Sequence, residues 1–264
     1  MREKAITMTI QIIKTANYEE MSRIAAEKII NLVKNKPNAE LGLATGGTPE
    51  GLYKLLIQDH RLNGTSYKQV KPVNLDEYIG LKKDDPNSYY TFMTEKLFKH
   101  IDILPENTHV PNGMAADIDA EAERYENFIH EIGGVDLQIL GIGHNGHIAF
   151  NEPGSSLASR TRVKTLTTDT VIANSRFFDN DMDKVPKQAL TVGVATVMDA
   201  REVMILVNGH HKARALQAAV EGPITQMWTV SACQNHPHAI IVADEAACDE
   251  LKVSTYRYFK DIER

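Results

Sequence analysis

The sequence predicts an α/β fold: a doubly wound, mostly parallel sheet with helices on both faces, a Rossmann-like three-layer sandwich. Three observations lead there. Short apolar runs alternate with stretches of helical spacing. Glycine-rich segments fall where an apolar run ends and a helical pattern begins. No internal repeat, low-complexity tract or long Gly/Ser linker divides the chain. A length of 264 residues allows one or two domains, and the unbroken pattern favours a single domain over 1–264. The leading MREKAIT, residues 1–7, is expected to be an extension outside the fold, with Met8 an alternative start.

Taken in order, Ile10–Ile13 reads as the first strand, and a helix follows from about Tyr18 to Lys34, with Met21, Ile24, Ala25, Ile29 and Leu32 near helical spacing. Glu40–Ala44 is a short strand running into Thr45-Gly46-Gly47-Thr48. Pro49 then suits a first helical turn, with Leu52, Leu55 and Leu56 on one face. Later strands are expected at Pro72–Leu75, Leu137–Gly141, Ala189–Val194, Val203–Val207 and Ala239–Val242. Helices are expected at Ser88–His100, Asp117–Ile132, His211–Val220 and Asp244–Leu251. In such sheets ligands bind beyond the carboxyl ends of the strands, so the strand-to-helix loops are the places to read for chemistry.

Composition excludes several classes. With 29 Lys and Arg against 35 Asp and Glu, the formal charge of −6 opposes non-specific attraction to nucleic acid or an anionic membrane. Cys233 and Cys248 make neither a disulfide framework nor the paired spacing of a structural zinc site, which fits a reducing cytoplasm. The start has no apolar core of a signal peptide, and the uncharged stretch from Gly222 to Ala243 is too polar to span a bilayer.

Four loops hold candidate chemistry. LGLATGGTPEGLY places Thr45, Gly46, Gly47 and Thr48 before a helix N-terminus, where free amides and the helix dipole can hold a phosphate. A plain tight turn with Thr48 as N-cap accounts for the same residues. It is not a Walker A loop, because no Gly-Lys-Ser/Thr follows. VNLDEYIGL ends a strand with Asp76 and Glu77, of which only one can readily face the cleft; partial burial there would make a usable general base.

The segment GGVDLQILGIGHNGHIAFNEPG carries His144, Asn145, His147, Asn151 and Glu152. Its Gly141, Gly143 and Gly146 spell G-x-G-x-x-G, but Asn151, Pro153 and Gly154 break any following helix, which argues against a dinucleotide site. A metal reading would use His144, His147 and Glu152 without a nameable fourth ligand. Metal-free proton transfer would pair His147 with Glu152, and a structural histidine accounts for the residues as well. Arg176 and Lys212 are the basic groups that could neutralise a phosphate.

The combination of LGLATGGTPEGLY, VNLDEYIGL with NSYYTFM, VPNGMAAD, LGIGHNGHIAFNEPGSSL, SRFF, MWTVSACQNHPHAIIVADEAA and LKVSTYRYF resembles the glucosamine-6-phosphate deaminase family over nearly the whole chain. The resemblance implies isomerising, hydrolytic deamination of glucosamine 6-phosphate to fructose 6-phosphate and ammonium, with no metal or organic cofactor. It implies that Asp76 is the base moving a proton from C2 to C1, that His147 opens the pyranose ring, and that Glu152 is its carboxylate partner. Asn145 stands where many members have Asp, so His147 is expected to depend chiefly on Glu152 for electrostatic support. Thr45 to Thr48, Arg176 and Lys212 match the phosphate contacts.

Some members are hexamers activated by N-acetylglucosamine 6-phosphate through positions matching Ser155, Arg162, Lys164 and Tyr258. Retention of LKVSTYRYF implies the allosteric type and a homohexamer. The nearest enzyme alternative is a 6-phosphogluconolactonase, and a different class is a sugar-phosphate sensor that binds without turnover. Asp76, Glu77, the NGHIAFNEP segment and the early start of the α/β pattern favour the deaminase.

Overall fold

A computed structural model describes residues 10–262. The expected extension over 1–7 lies outside the described residues. Six parallel strands form the main sheet: β1 (Gln11–Thr15), β2 (Glu40–Leu43), β3 (Lys71–Asn74), β5 (Leu137–Leu140), β8 (Glu202–Val207) and β9 (Ala239–Asp244). Their spatial order is β1-β9-β8-β5-β2-β3. The chain therefore starts near one edge, winds to the other, and returns. Leu137, Ile139, Val203 and Ile205 in the two central strands have no exposed surface, as expected of a sheet covered on both faces.

Each face has its own core. On one, α1 (Tyr18–Asn35), α2 (Glu50–Asn63) and α3 (Tyr89–Lys96) bring Met21, Ile29, Leu52, Tyr53, Leu56 and Met93 against Leu41, Leu43 and Ile139. On the other, α4 (Ile118–Glu131), α6 (Val194–Met198), α7 (Ala213–Glu221) and α8 (Val253–Ile262) pack Tyr125, Val197, Leu216 and Phe259 against Leu140, Val203 and Ile205. Asn17, Ser88 and Asp117 cap α1, α3 and α4 by accepting amides of the first turn. Pro49, at the start of α2, has no side chain that can do so.

Several expectations need correction. The Ala189–Val194 run is β7 (Gln188–Thr191), and it leaves the parallel sheet for a second, antiparallel one of order β4-β7-β6, with β4 (Asp76–Tyr78) and β6 (Arg162–Thr165). Only Leu75 separates β3 from β4, and its carbonyl accepts the Val192 amide at 2.8 Å, so the chain bends from one sheet to the other there. The Ser88–His100 helix breaks at Leu97 into α3 and a short 3-10 turn at Phe98–His100. Asp244–Leu251 holds only a 3-10 turn at Ala246–Cys248, because Asp244 still belongs to β9. Sequence reading also missed α5 (Thr168–Ser175), whose eight residues carry a weak apolar pattern.

Truncating Ile139 tests the core assignment, since it lies fully buried in β5 between β2 and β8. Ile139→Ala should lower stability by about 2–5 kcal/mol, read from the urea unfolding midpoint.

Candidate active site

The carboxyl ends of β2, β3, β5 and β8 open onto a cleft of about 270 Å³. Thr45, Gly46, Gly47 and Thr48 line it, as do Asp76, His144, His147, Arg176 and Lys212. Asn145 and Glu152 stand behind His147 rather than on the surface of the cleft. Thr48 does not cap α2: its hydroxyl donates to Asn208 Oδ1 at 3.0 Å, tying the first loop to the one after β8. Gly46 takes φ +94°, a conformation that favours glycine.

Strand β4 settles which of the two adjacent acids faces the cleft. Side chains alternate along a strand, so Asp76 and Tyr78 line the cleft while Glu77 points away. Glu77 accepts the amides of Tyr78, Tyr89 and Tyr90 at 2.8, 3.0 and 3.0 Å, which anchors the start of α3. No protein donor hydrogen-bonds the Asp76 carboxyl among the described residues. Burial, then the Glu77 charge beside it, pushes Asp76 up to about 8. Burial also raises Glu77, to about 7, although the three amides pull the other way.

The loop after β5 makes a tight turn and not a dinucleotide-binding helix. Gly143 N–H donates to the His147 carbonyl at 2.8 Å, and a Cβ at Gly143 would lie 2.3 Å from the His147 ring. Gly146 has φ +75° and packs against Trp228. Ala149, with φ 49°, holds a strained backbone on the cleft wall. The clamp on this segment comes from Thr229, whose hydroxyl accepts the Ile148 amide at 3.3 Å and donates to the Asn151 carbonyl at 2.8 Å. Asn151 in turn donates through Nδ2 to the carbonyls of Ile148 and Val192.

This turn brings Glu152 Oε2 to 3.3 Å from His147 Nδ1, although the pair is poorly aligned for a hydrogen bond. Asn145 Nδ2 donates to the same oxygen at 3.1 Å and Thr167 Oγ1 to the other at 3.2 Å. Burial opposes ionisation of Glu152, yet His147, Thr170 and Asn145 together hold its carboxyl down at about 2. Glu152 is therefore a fixed anion behind the imidazole.

Arg176 ends α5 and Lys212 precedes α7. Neither forms a salt bridge with a carboxylate among the described residues. Burial, then the Arg176 charge, brings Lys212 down to about 8. Two cations share one region of the cleft without a counter-ion of their own. Among the described residues no group of three His, Cys, Asp or Glu side chains is arranged to hold a metal ion.

Sequence reasoning missed the aromatic wall. Tyr78, Tyr89, Phe150 and Phe178 line the cleft with ring centroids 4.8–6.2 Å apart, and Asn174 Nδ2 donates to Tyr78 Oη at 2.8 Å. The NSYYTFM and SRFF segments held the signal, but aromatic residues near a loop read equally as core.

The second group of expected residues is only partly assembled. Ser155 is buried with an unpartnered hydroxyl, and Arg162 donates to Asn151 Oδ1 at 2.9 Å. Lys164 lies two positions along β6 from Arg162. Tyr258 sits on α8, half exposed and against Phe259, and α8 packs on β1 at the far edge of the main sheet. Among the described residues no hydrogen bond or ring contact joins it to the other three.

Residues 14–245 match the family described as glucosamine-6-phosphate isomerases/6-phosphogluconolactonase. The chain belongs to this family. A glucosamine-6-phosphate deaminase of Phocaeicola vulgatus is 58% identical over 260 residues, 97% of this chain and 99% of that one. One from Bacteroides fragilis is 59% identical over 259 residues, 96% of each chain. A solved structure of a monomeric glucosamine-6-phosphate deaminase superposes with a TM-score of 0.89 at 45% identity, covering 90% of this chain and 98% of that one. The 6-phosphogluconolactonase of Trypanosoma cruzi shares the family fold, with a TM-score of 0.75 at 20% identity over 95% of this chain and all of its own. No helix among the described residues is long and apolar enough to cross a membrane.

The raised Asp76 makes stability pH-dependent with a definite sign. In the unfolded chain an Asp ionises near 3.9, whereas in the fold this one does so at about 8, so the native state holds the extra proton between these values. Stability therefore falls as pH rises through that window. Asp76→Asn should flatten the fall and be the more stable protein at pH 8, by about 1 kcal/mol or more, in urea titrations at pH 5 and 8. Equal slopes for both proteins would remove the buried-carboxyl account.

Proposed function

We propose that the protein converts glucosamine 6-phosphate and water to fructose 6-phosphate and ammonium, as a single catalytic domain in the cytoplasm, without a metal or organic cofactor. One observation carries the reading: a single cleft presents unpaired cations beside a Gly-Gly loop and, within the same walls, an unpaired carboxyl at Asp76. The first suits a phosphate dianion and the second suits carbon acid chemistry. The deaminase relatives, at 58–59% identity over nearly the full chain, support the choice over the lactonase relative, which shares only the fold.

In this reading the amides of Gly46 and Gly47, the hydroxyls of Thr45 and Thr48, Arg176 and Lys212 hold the phosphate. Binding energy from that remote group positions the reacting carbons. His147, backed by Glu152 and Asn145, passes a proton to the ring oxygen as the pyranose opens. Ionised Asp76 takes the proton from C2 and returns it to C1 through an enolamine. Water then replaces nitrogen at C2, and ammonium leaves.

Asn145 keeps a hydrogen bond to Glu152 but adds no charge, so His147 depends chiefly on Glu152 for electrostatic support. A non-catalytic sensor would have less use for a buried carboxyl, a histidine and its buried anion in one cleft.

An ammonia-release assay with glucosamine 6-phosphate tests the reading. Turnover should be present and should fall at least about a hundredfold in Asp76→Asn, with inorganic phosphate still competing for the cleft. The acidic limb of kcat/KM should have its midpoint near pH 8, where Asp76 ionises. Hydrolysis of a sugar lactone phosphate without ammonia release would instead establish the lactonase.

A second phosphate site is proposed at Ser155, Arg162 and Lys164, with N-acetylglucosamine 6-phosphate as effector, a homohexamer as the assembly and Tyr258 in the switch. Its support is the buried Ser155 hydroxyl, unpartnered among the described residues, and the half-buried Arg162, which bonds Asn151 in the catalytic segment. The solved monomeric relative shows that a deaminase of this fold need not assemble. Sigmoidal initial-rate curves that become hyperbolic with the effector are expected; curves it leaves unchanged would remove this part.

A further inference from the structure

Tyr18, on the first turn of α1, lies outside the cleft, yet its hydroxyl reaches the loop that lines it. Tyr18 Oη donates to the Gly47 carbonyl at 2.9 Å and accepts the Gly51 amide at 2.7 Å. The ring lies against Gly51, where an added Cβ would come within 2.9 Å of it.

Two consequences follow from elementary geometry. A helix begins with amides that have no partner in the preceding turn, and Pro49 offers α2 no capping side chain. Tyr18 caps one of these amides from 33 residues away in sequence. The peptide between Gly47 and Thr48 is planar and trans, so its carbonyl and its N–H point in opposite directions. The Gly47 carbonyl accepts Tyr18 Oη and, at 3.4 Å, the Glu50 amide, so it is held toward α1 and α2, and the Thr48 N–H of the same peptide is turned the other way. Among the described residues the amides of Gly46, Gly47 and Thr48 donate to no backbone carbonyl or side chain, so they are free for a ligand.

We propose that Tyr18 is a positioning residue that sets the amide geometry of the phosphate-holding loop. The assignment rests on the phosphate reading of the cleft given above. It gives Tyr18 a specific kinetic signature: its loss weakens capture of the phosphate while leaving Asp76 and His147 in place for chemistry. The bond to Asn208 holds the other flank of the same loop, so the loop keeps its general path without the tyrosine hydroxyl.

The test is Tyr18→Phe, which keeps the ring against Gly51 and removes only the hydroxyl. KM for glucosamine 6-phosphate and the inhibition constant of inorganic phosphate should rise together by about five- to tenfold, with kcat within about twofold of the parent. Unchanged KM and inhibition constant, or a fall in kcat at constant KM, would overturn the assignment.

Lys212→Met separates this from failure of the underlying reading. If phosphate does not compete in the parent enzyme, or competes equally in Lys212→Met, the phosphate reading fails and the assignment with it. If competition depends on Lys212 but not on the Tyr18 hydroxyl, only the assignment fails. Should Tyr18→Phe not fold, 3,5-difluorotyrosine at position 18 keeps the acceptor and loses the donor proton on ionising near neutral pH. Its KM should then rise with pH more steeply than the parent's, and parallel profiles would overturn the proposal.

Discussion

The cleft brings a buried acid and a partly buried base together without pairing them among the described residues. Among the described residues no donor bonds Asp76 and no carboxylate pairs with Lys212, and burial pushes each toward its neutral form, to about 8 in both cases. Ionising a desolvated group that has no partner is costly, and a fold selected for stability alone would pair or remove both. Their persistence at one site is the mark of a surface arranged for something else to complete. The proposed substrate, with an anionic end and a carbon acid a few bonds away, would satisfy both groups at once.

The scaffold supplies that arrangement through strand direction. Because the six main strands run parallel, their carboxyl ends lie on one side, and loops distant in sequence converge there. Leu75 bends the chain out of the main sheet, so β4 carries Asp76 into the wall of the cleft while its other face anchors α3 through Glu77. The antiparallel sheet formed with β7 and β6 carries Arg162 to Asn151, which holds the turn bearing His147 and Glu152. The segment around Thr229 holds the same turn through the Ile148 amide and the Asn151 carbonyl.

Much of the fold was legible because it depends on local pattern. The helix over Tyr18–Asn35 and the strands around Leu41, Ile139 and Ile205 have periodicity that admits one reading. The second sheet was not legible, because β4 and β6 have three and four residues and acquire their state by pairing with β7. Helix α5 was hidden for a related reason: its weak apolar pattern is fixed by the Thr167 cap and the Tyr78–Asn174 bond. Among site residues, the Gly-Gly loop, Asp76, His147, Arg176 and Lys212 could be singled out by type and position. Tyr18 could not, since nothing in helical periodicity distinguishes a tyrosine that packs from one that bonds a distant loop.

The sequence by itself determined the alternation of elements, the glycine and proline positions that shape the loops, and the residue types available for chemistry. These are properties of neighbours in the chain, set by backbone sterics and side-chain period. Tertiary structure alone decided which of Asp76 and Glu77 faces the cleft, that Glu152 is a buried anion behind His147, and that Arg176 and Lys212 share the cleft with no salt bridge to a carboxylate among the described residues. Those outcomes depend on burial and on partners tens of residues away, because desolvation and charge interaction act through space and have no signature in local pattern.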